Sequence, residues 1–175
     1  MMEMMCGGCD LDVLSEQMDQ AMANDTISSI VLDISSPGGT VTGVKEFGEL
    51  IVEARKNKPV YAYSSTLCAS AAYWIASQCT AFYCAVSADV GSIGVYSILL
   101  DQSRALEDAG IKVNAISAGK YKLAGASFKP LTDEERAMFQ AGVDKTHAQF
   151  KAAILSQRTV KAEYMEGQIF DGEDA

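Results

Sequence analysis

The chain has 175 residues, enough for one domain with a buried core, and 49% of them are hydrophobic against 21% charged. A net charge of −9 argues against a nucleic-acid partner, because phosphate binding needs a basic surface. The first ten residues, MMEMMCGGCD, have neither the basic nor the apolar region of a signal peptide, and the run from Val90 to Leu100 is too short to span a bilayer. No membrane anchor is expected.

From Asp10 to Ala23, apolar residues at Leu11, Leu14, Met18 and Met22 recur at helical spacing. Ser29 to Ile34 is a nearly continuous apolar run, the mark of a buried parallel strand, and Ser35-Ser-Pro-Gly-Gly39 breaks it. A helix is predicted from Thr42 to Lys56, with Val44, Phe47 and Ile51 inward, and a strand over Pro59 to Tyr63. Ala69 to Ser77 is small and apolar enough for a buried helix. Ala81 to Cys84 and Ser92 to Ser97 read as short strands, Ser103 to Ala109 as a helix ended by Gly110, and Lys112 to Ser117 as an alternating strand. Thr132-Asp-Glu-Glu135 is a capping box opening a helix to about Arg158. Strands alternating with helices predict an α/β fold with a mostly parallel sheet, and chemistry where strands end and helices begin.

That zone holds Gly38, Gly39 and Ser70. Ser70 opens a predicted helix among small residues, where a serine serves either as a nucleophile or, more commonly, as a helix cap. Pro37-Gly38-Gly39 fits an oxyanion loop, since glycine N–H groups can face outward unobstructed, and fits equally a plain strand-to-helix turn. His147, the single histidine, follows Phe139 and Val143 and precedes Phe150 and Ile154 on one helical face, so a packed histidine is expected and a Ser-His-Asp triad is poorly served. A lysine base needs burial to shed its proton, and Gly119-Lys-Tyr-Lys122 offers two lysines that alternation alone does not separate. Five cysteines, an odd number without a secretory leader, predict reduced thiols. Cys6-Gly-Gly-Cys9 has metal or redox spacing without a second pair, so neither a metal site nor a cofactor is expected.

In order along the chain, Ser35-Ser-Pro-Gly-Gly39, Cys68-Ala-Ser70-Ala-Ala-Tyr-Trp-Ile-Ala76, Val90-Gly-Ser-Ile-Gly-Val95, Gly119-Lys-Tyr-Lys122 and the closing segment from Arg158 through Gly167-Gln-Ile-Phe-Asp-Gly-Glu-Asp-Ala175 resemble the signal peptide peptidase A (protease IV) family, its short bacteriophage members included. The resemblance runs from about Ile27 to Ala175. It implies a Clp/crotonase-like spiral of ββα units and an ATP-independent serine peptidase. Ser70 would be the nucleophile, Lys122 the general base, Gly38 and Gly39 the oxyanion loop, and Ser92 the residue that hydrogen-bonds the lysine. The separation, 122 − 70 = 52 positions, agrees with single-domain members. Two alanines after Ser70 replace the glycines common in the family.

The family's opening strand is not evident before Asp10, and its Gly-Leu-Val-Asp ending is absent, so residues 1–175 are read as a single peptidase domain trimmed at both ends. The resemblance implies a polypeptide substrate, a homo-oligomeric ring and, for a phage head protease, capsid proteins as partners in the host cytoplasm or prohead. The alternatives are a cellular signal-peptide-degrading enzyme, a Clp-type triad protease, a crotonase-like acyl-CoA enzyme and an inactive scaffold of the same fold.

Overall fold

A computed structural model describes residues 8–174. They fall into two compact units, one comprising the chain up to Gly94 together with the chain from His147 onward, the other Val95–Thr146. Cys6 lies outside the described residues.

In the first unit, Asp10 opens helix α1 (Leu11–Ala23), its carboxylate accepting from the Asp12 and Val13 N–H groups. Strand β1 (Ile30–Asp33), helix α2 (Val44–Ala54) and strand β2 (Val60–Ser64) follow, then β3 (Leu67–Ala69), α3 (Ala71–Ser77) and β4 (Ala81–Cys84). Strand β5 (Asp89–Gly91) and, after the second unit, β6 (Ile169–Asp171) complete it. One sheet has the order β1-β2-β4 and is parallel throughout. The other has the order β3-β5-β6, parallel between β3 and β5 and antiparallel between β5 and β6. The mixed α/β class with a mostly parallel sheet follows.

Met18 of α1, Phe47 and Ile51 of α2, Val60 and Ala62 of β2, and Ala72 and Ala76 of α3 share one buried cluster. Each large aliphatic side chain so buried is worth about 1.5–3 kcal/mol of transfer free energy. Trp74 of α3 stacks on Phe150 with ring centroids 4.7 Å apart. The residue before Ala71 is thus carried by a helix fastened on its inner side.

The second unit holds α4 (Ser103–Asp108) and the start of α5 (Asp133–Leu155), within which the boundary between the units falls. Thr132 and Glu135 form the expected capping box: the Glu135 N–H donates to Thr132 Oγ1 at 3.2 Å and the Thr132 N–H to Glu135 Oε2 at 3.1 Å. Two expected strands are not strands. Residues 92–97 lie beyond β5, whose ladder ends at Gly91, and Lys112 to Ser117 is exposed at every residue without a ladder partner among the described residues. Alternating side chains make a strand only where a neighbouring backbone supplies hydrogen bonds, and Lys112–Ser117 has none. No helix among the described residues is long and apolar enough to cross a membrane.

Candidate active site

Three parallel runs of backbone end side by side in the first unit. Ser36 bridges Cys68 of β3, its N–H donating to the Leu67 carbonyl at 2.8 Å while the Ala69 N–H donates to the Ser36 carbonyl at 3.1 Å. On the other side of β3, Ala69 pairs with Gly91 of β5. Ser70 and Ser92 are therefore each one residue past a paired position, and the loop carrying Gly38 lies on the opposite flank of Ser70.

Ser70 has φ 54° and ψ −125°, and its side chain makes no capping hydrogen bond to α3. The helix-cap reading fails on that observation. A non-glycine residue in this region costs on the order of 1–3 kcal/mol and persists only where its surroundings impose it. Here the Ser70 N–H donates to the Gly91 carbonyl at 2.8 Å, and the Trp74 N–H donates to the Ser70 carbonyl at 2.9 Å. Strand pairing on one side and helix entry on the other hold the residue, leaving its half-buried hydroxyl uncommitted to capping. Ser92 has φ 53°, the other positive-φ non-glycine position among the described residues, and its N–H donates to the Gln168 carbonyl at 2.6 Å.

Gly38 has φ 97°, and a Cβ built on it would stand 2.6 Å from Ser70 Cβ and 2.9 Å from the Ala71 nitrogen. Glycine is required there by both conformation and contact. Its N–H donates to Ser36 Oγ at 3.2 Å. Gly39 is exposed, a Cβ on it would meet nothing within 4 Å, and no acceptor takes its N–H among the described residues. The two glycines thus have different situations: Gly38 lets the loop touch Ser70, while Gly39 presents an uncommitted donor. Gly38, Gly39, Ala71 and Ala72 line one hollow of about 1020 Å³ that extends along α1 and β1. Sequence reasoning counted Ala71 and Ala72 only as small neighbours. Their place in the first turn of α3, where N–H groups lack helical acceptors, was the available signal.

Gly38→Ala is expected to lower turnover by about 10²-fold or more, because it displaces Ser70, whereas Gly39→Ala should stay within a few-fold of the parent. Steady-state rates on a fluorogenic peptide check both, and equal rates for the two variants would contradict the assignment of the contact.

Lys122 belongs to the second unit, in a run of turns from Gly119 to Gly125, and is exposed. It has no ion-pair partner among the described residues. Lys120 is committed: its ammonium pairs with Glu134, whose other contact is the Tyr121 hydroxyl at 2.7 Å. The Lys120–Glu134 hydrogen bond, with Tyr121 adding to it, holds the Lys120 ammonium above its usual range and the Glu134 carboxyl below its own. The segment Gly119–Lys122 does not follow a buried strand as expected, since the residues before it are exposed.

His147 sits in the first unit with Nε2 3.2 Å from the Ile93 carbonyl and 3.1 Å from the Met165 carbonyl. Carbonyls only accept, so Nε2 carries the hydrogen. Burial pushes the Cys68 thiol, two residues before Ser70, up to about 12, and the Cys79 thiol likewise to about 12. A thiol held neutral is a poor nucleophile, so Cys68 does not compete with Ser70. Cys9 is free and exposed, and no group of three or more metal-ligating side chains occurs among the described residues.

A strained serine between a glycine loop and a helix start suits acyl transfer, the chemistry of a hydrolase. Residues 53–175 match the family described as Peptidase family S49, more than half of the chain, and the protein belongs to that family. It is 32% identical over 162 residues to a Methanocaldococcus jannaschii protein named "Putative protease", covering 90% of this chain and 52% of that one. It is 31% identical over 159 residues to the head-tail preconnector protein of Enterobacteria phage P21, covering 89% of this chain and 32% of the relative. Against the capsid assembly protease of Escherichia phage lambda it is 27% identical over 162 residues, 91% of this chain and 37% of that protein. The chain spans about half or less of the length of these relatives.

Proposed function

We propose that the chain is the peptidase domain of an ATP-independent serine endopeptidase, with a Clp/crotonase-like spiral fold, Ser70 as nucleophile and Lys122 as general base. The observation that carries this reading is Ser70, held off the ordinary backbone regions with a hydroxyl that caps nothing. In the reaction Ser70 Oγ attacks the scissile carbonyl while the Lys122 amine takes its proton, and the ammonium then protonates the departing amine. Water repeats the sequence on the acyl-enzyme, returning Ser70. The N–H of Gly39, and that of Gly38 if it leaves Ser36, stabilise the oxyanion. Ser92, one residue past the strand position paired with Ala69, orients the lysine. Labelling with a fluorophosphonate, followed by peptide mapping, tests the reading: the adduct belongs on Ser70, and its absence there overturns the assignment.

The similarity to a phage head-tail preconnector and a capsid assembly protease supports capsid proteins as substrates and the prohead or host cytoplasm as the place of action. A homo-oligomeric ring fits the second unit, where Tyr96, Ile98 and Ile116 are 83%, 72% and 100% exposed. These exposed apolar side chains support a contact with another chain. A lysine becomes a base only when its ammonium is desolvated, and an assembly covering this unit would supply the desolvation. Light scattering should give a mass several times 18.7 kDa at micromolar concentration, and Ile98→Glu with Ile116→Glu should lower it. A monomeric parent would contradict the ring.

A further inference from the structure

The single histidine of the chain is left over by the mechanism, yet its contacts converge on the turn that carries Ser92. His147 Nε2 lies between two carbonyls, that of Ile93, which directly follows Ser92, and that of Met165, at 3.2 and 3.1 Å. Both Ile93 and Met165 are buried, at 2% and 3% exposure, so their carbonyl groups depend on donors from the protein.

The second of these carbonyls belongs to the segment that also grips Ser92 directly. The Gln168 carbonyl accepts from the Ser92 N–H at 2.6 Å. Gln168 is itself fixed, its side chain donating to the Glu163 carbonyl at 2.8 Å and accepting from the Glu166 N–H at 3.0 Å. Beyond it, β6 pairs with β5, and the β5 residue Gly91 accepts from the Ser70 N–H at 2.8 Å. One N–H on α5 therefore ties the 93 and 165 backbones together, while Ser92 at φ 53° and Ser70 at φ 54° occupy conformations that relax once their surroundings loosen.

We propose that His147 is a positioning residue for the peptidase site: its Nε2–H clasps the Ser92 turn to the segment 163–168 and so fixes the Ser92 hydroxyl and, through Gly91, the Ser70 backbone. The inference rests on Ser70 and Ser92 being the working residues. Replacing the ring by an apolar group of similar bulk leaves two buried carbonyls without their donor, and the turn shifts to find others. A displacement of about 1 Å at a reacting group costs on the order of 10²-fold in rate.

The experiment compares His147→Leu, His147→Gln and the parent in fluorophosphonate labelling and peptide hydrolysis, with Ser70→Ala as the blank. His147→Leu should lose about 10- to 100-fold in kcat and in labelling rate with KM nearly unchanged, while remaining folded by circular dichroism. His147→Gln keeps an N–H donor at similar reach and should recover to within a few-fold of the parent. Equal labelling of His147→Leu and the parent overturns the positioning role while leaving Ser70 in place. A parent that does not label at Ser70 removes the underlying reading and this inference with it. A His147→Gln as impaired as His147→Leu also overturns the inference, because a donor alone would then not suffice. Should His147→Leu not fold, long-range ¹H–¹⁵N spectra of the parent decide, the lone histidine giving one assignable ring. Hydrogen on Nε2 is expected, and a neutral ring with hydrogen on Nδ1 only would overturn the clasp.

Discussion

Ser70→Ala is expected to abolish peptide hydrolysis and fluorophosphonate labelling while leaving the circular dichroism spectrum unchanged. Removing a nucleophile that works with its base as one unit typically costs about 10⁶-fold in turnover. The fold should tolerate the change, because the Ser70 hydroxyl caps nothing and its backbone bonds to Gly91 and Trp74 survive in alanine. Retention of most of the parent's activity would sink the assignment. Ser70→Gly sharpens the same test, since glycine adopts φ 54° freely. That variant should be as inactive as alanine yet melt at a higher temperature than alanine does, the difference being about 1 kcal/mol. A serine kept where glycine would be more stable is a serine kept for its hydroxyl. Equal melting of the two variants would show that the backbone there is not strained.

How far the chain could be read in advance depended on which force shaped each piece. The strands Val60–Ser64 and Ala81–Cys84 were legible from their short runs of β-branched and aromatic residues. The expected continuous burial of Ser29–Ile34 is absent: β1 alternates, with Val31 and Asp33 exposed, as β2 does with Val60, Ala62 and Ser64 buried and Tyr63 exposed. The Thr132–Glu135 box was legible because the cap and the helix are made by the same four residues. Lys112–Ser117 was misread because alternation describes side chains, whereas a strand also needs a partner backbone, and none is present among the described residues. The candidate site was legible as a set of motifs but not as geometry. Nothing in the composition around Ser70 or Ser92 announces a positive φ, since that conformation is imposed by the pairing of β3 with β5 and by Gly38 lying against Ser70. Nor does Pro37-Gly38-Gly39 announce that Gly38 lies against Ser70 or that its N–H is given to Ser36 Oγ. His147 was read correctly as packed, but its two carbonyl partners are 54 and 18 residues away, beyond the reach of helical periodicity.

Between the two lysines that the sequence left equivalent, Lys122→Ala should be inactive and Lys120→Ala should keep the parent's rate. The structure supplies a reason to separate them. Lys120 is paired with Glu134, and that pairing raises its pKa, so it holds its proton through the pH range in which a base has to be neutral. A lysine with a raised pKa deprotonates later, so its pair with Glu134 is lost only at higher pH than for a free lysine. Both partners are exposed, so breaking the pair should cost little stability. Lys122 carries no such partner among the described residues. Loss of a general base costs about 10²–10⁴-fold, which sets the expected fall in kcat for Lys122→Ala. Lys122→Arg decides whether the proton or the charge matters, because a guanidinium keeps a positive charge and does not deprotonate in proteins. It should be as inactive as alanine if the amine accepts the Ser70 proton, and partly active if a fixed charge suffices. In the parent, kcat/KM should rise with pH as the base loses its proton, and that acid limb should persist in His147→Gln, where no histidine remains to produce it. An acid limb that vanished with the histidine would give the base role to His147 and remove Lys122 from the site.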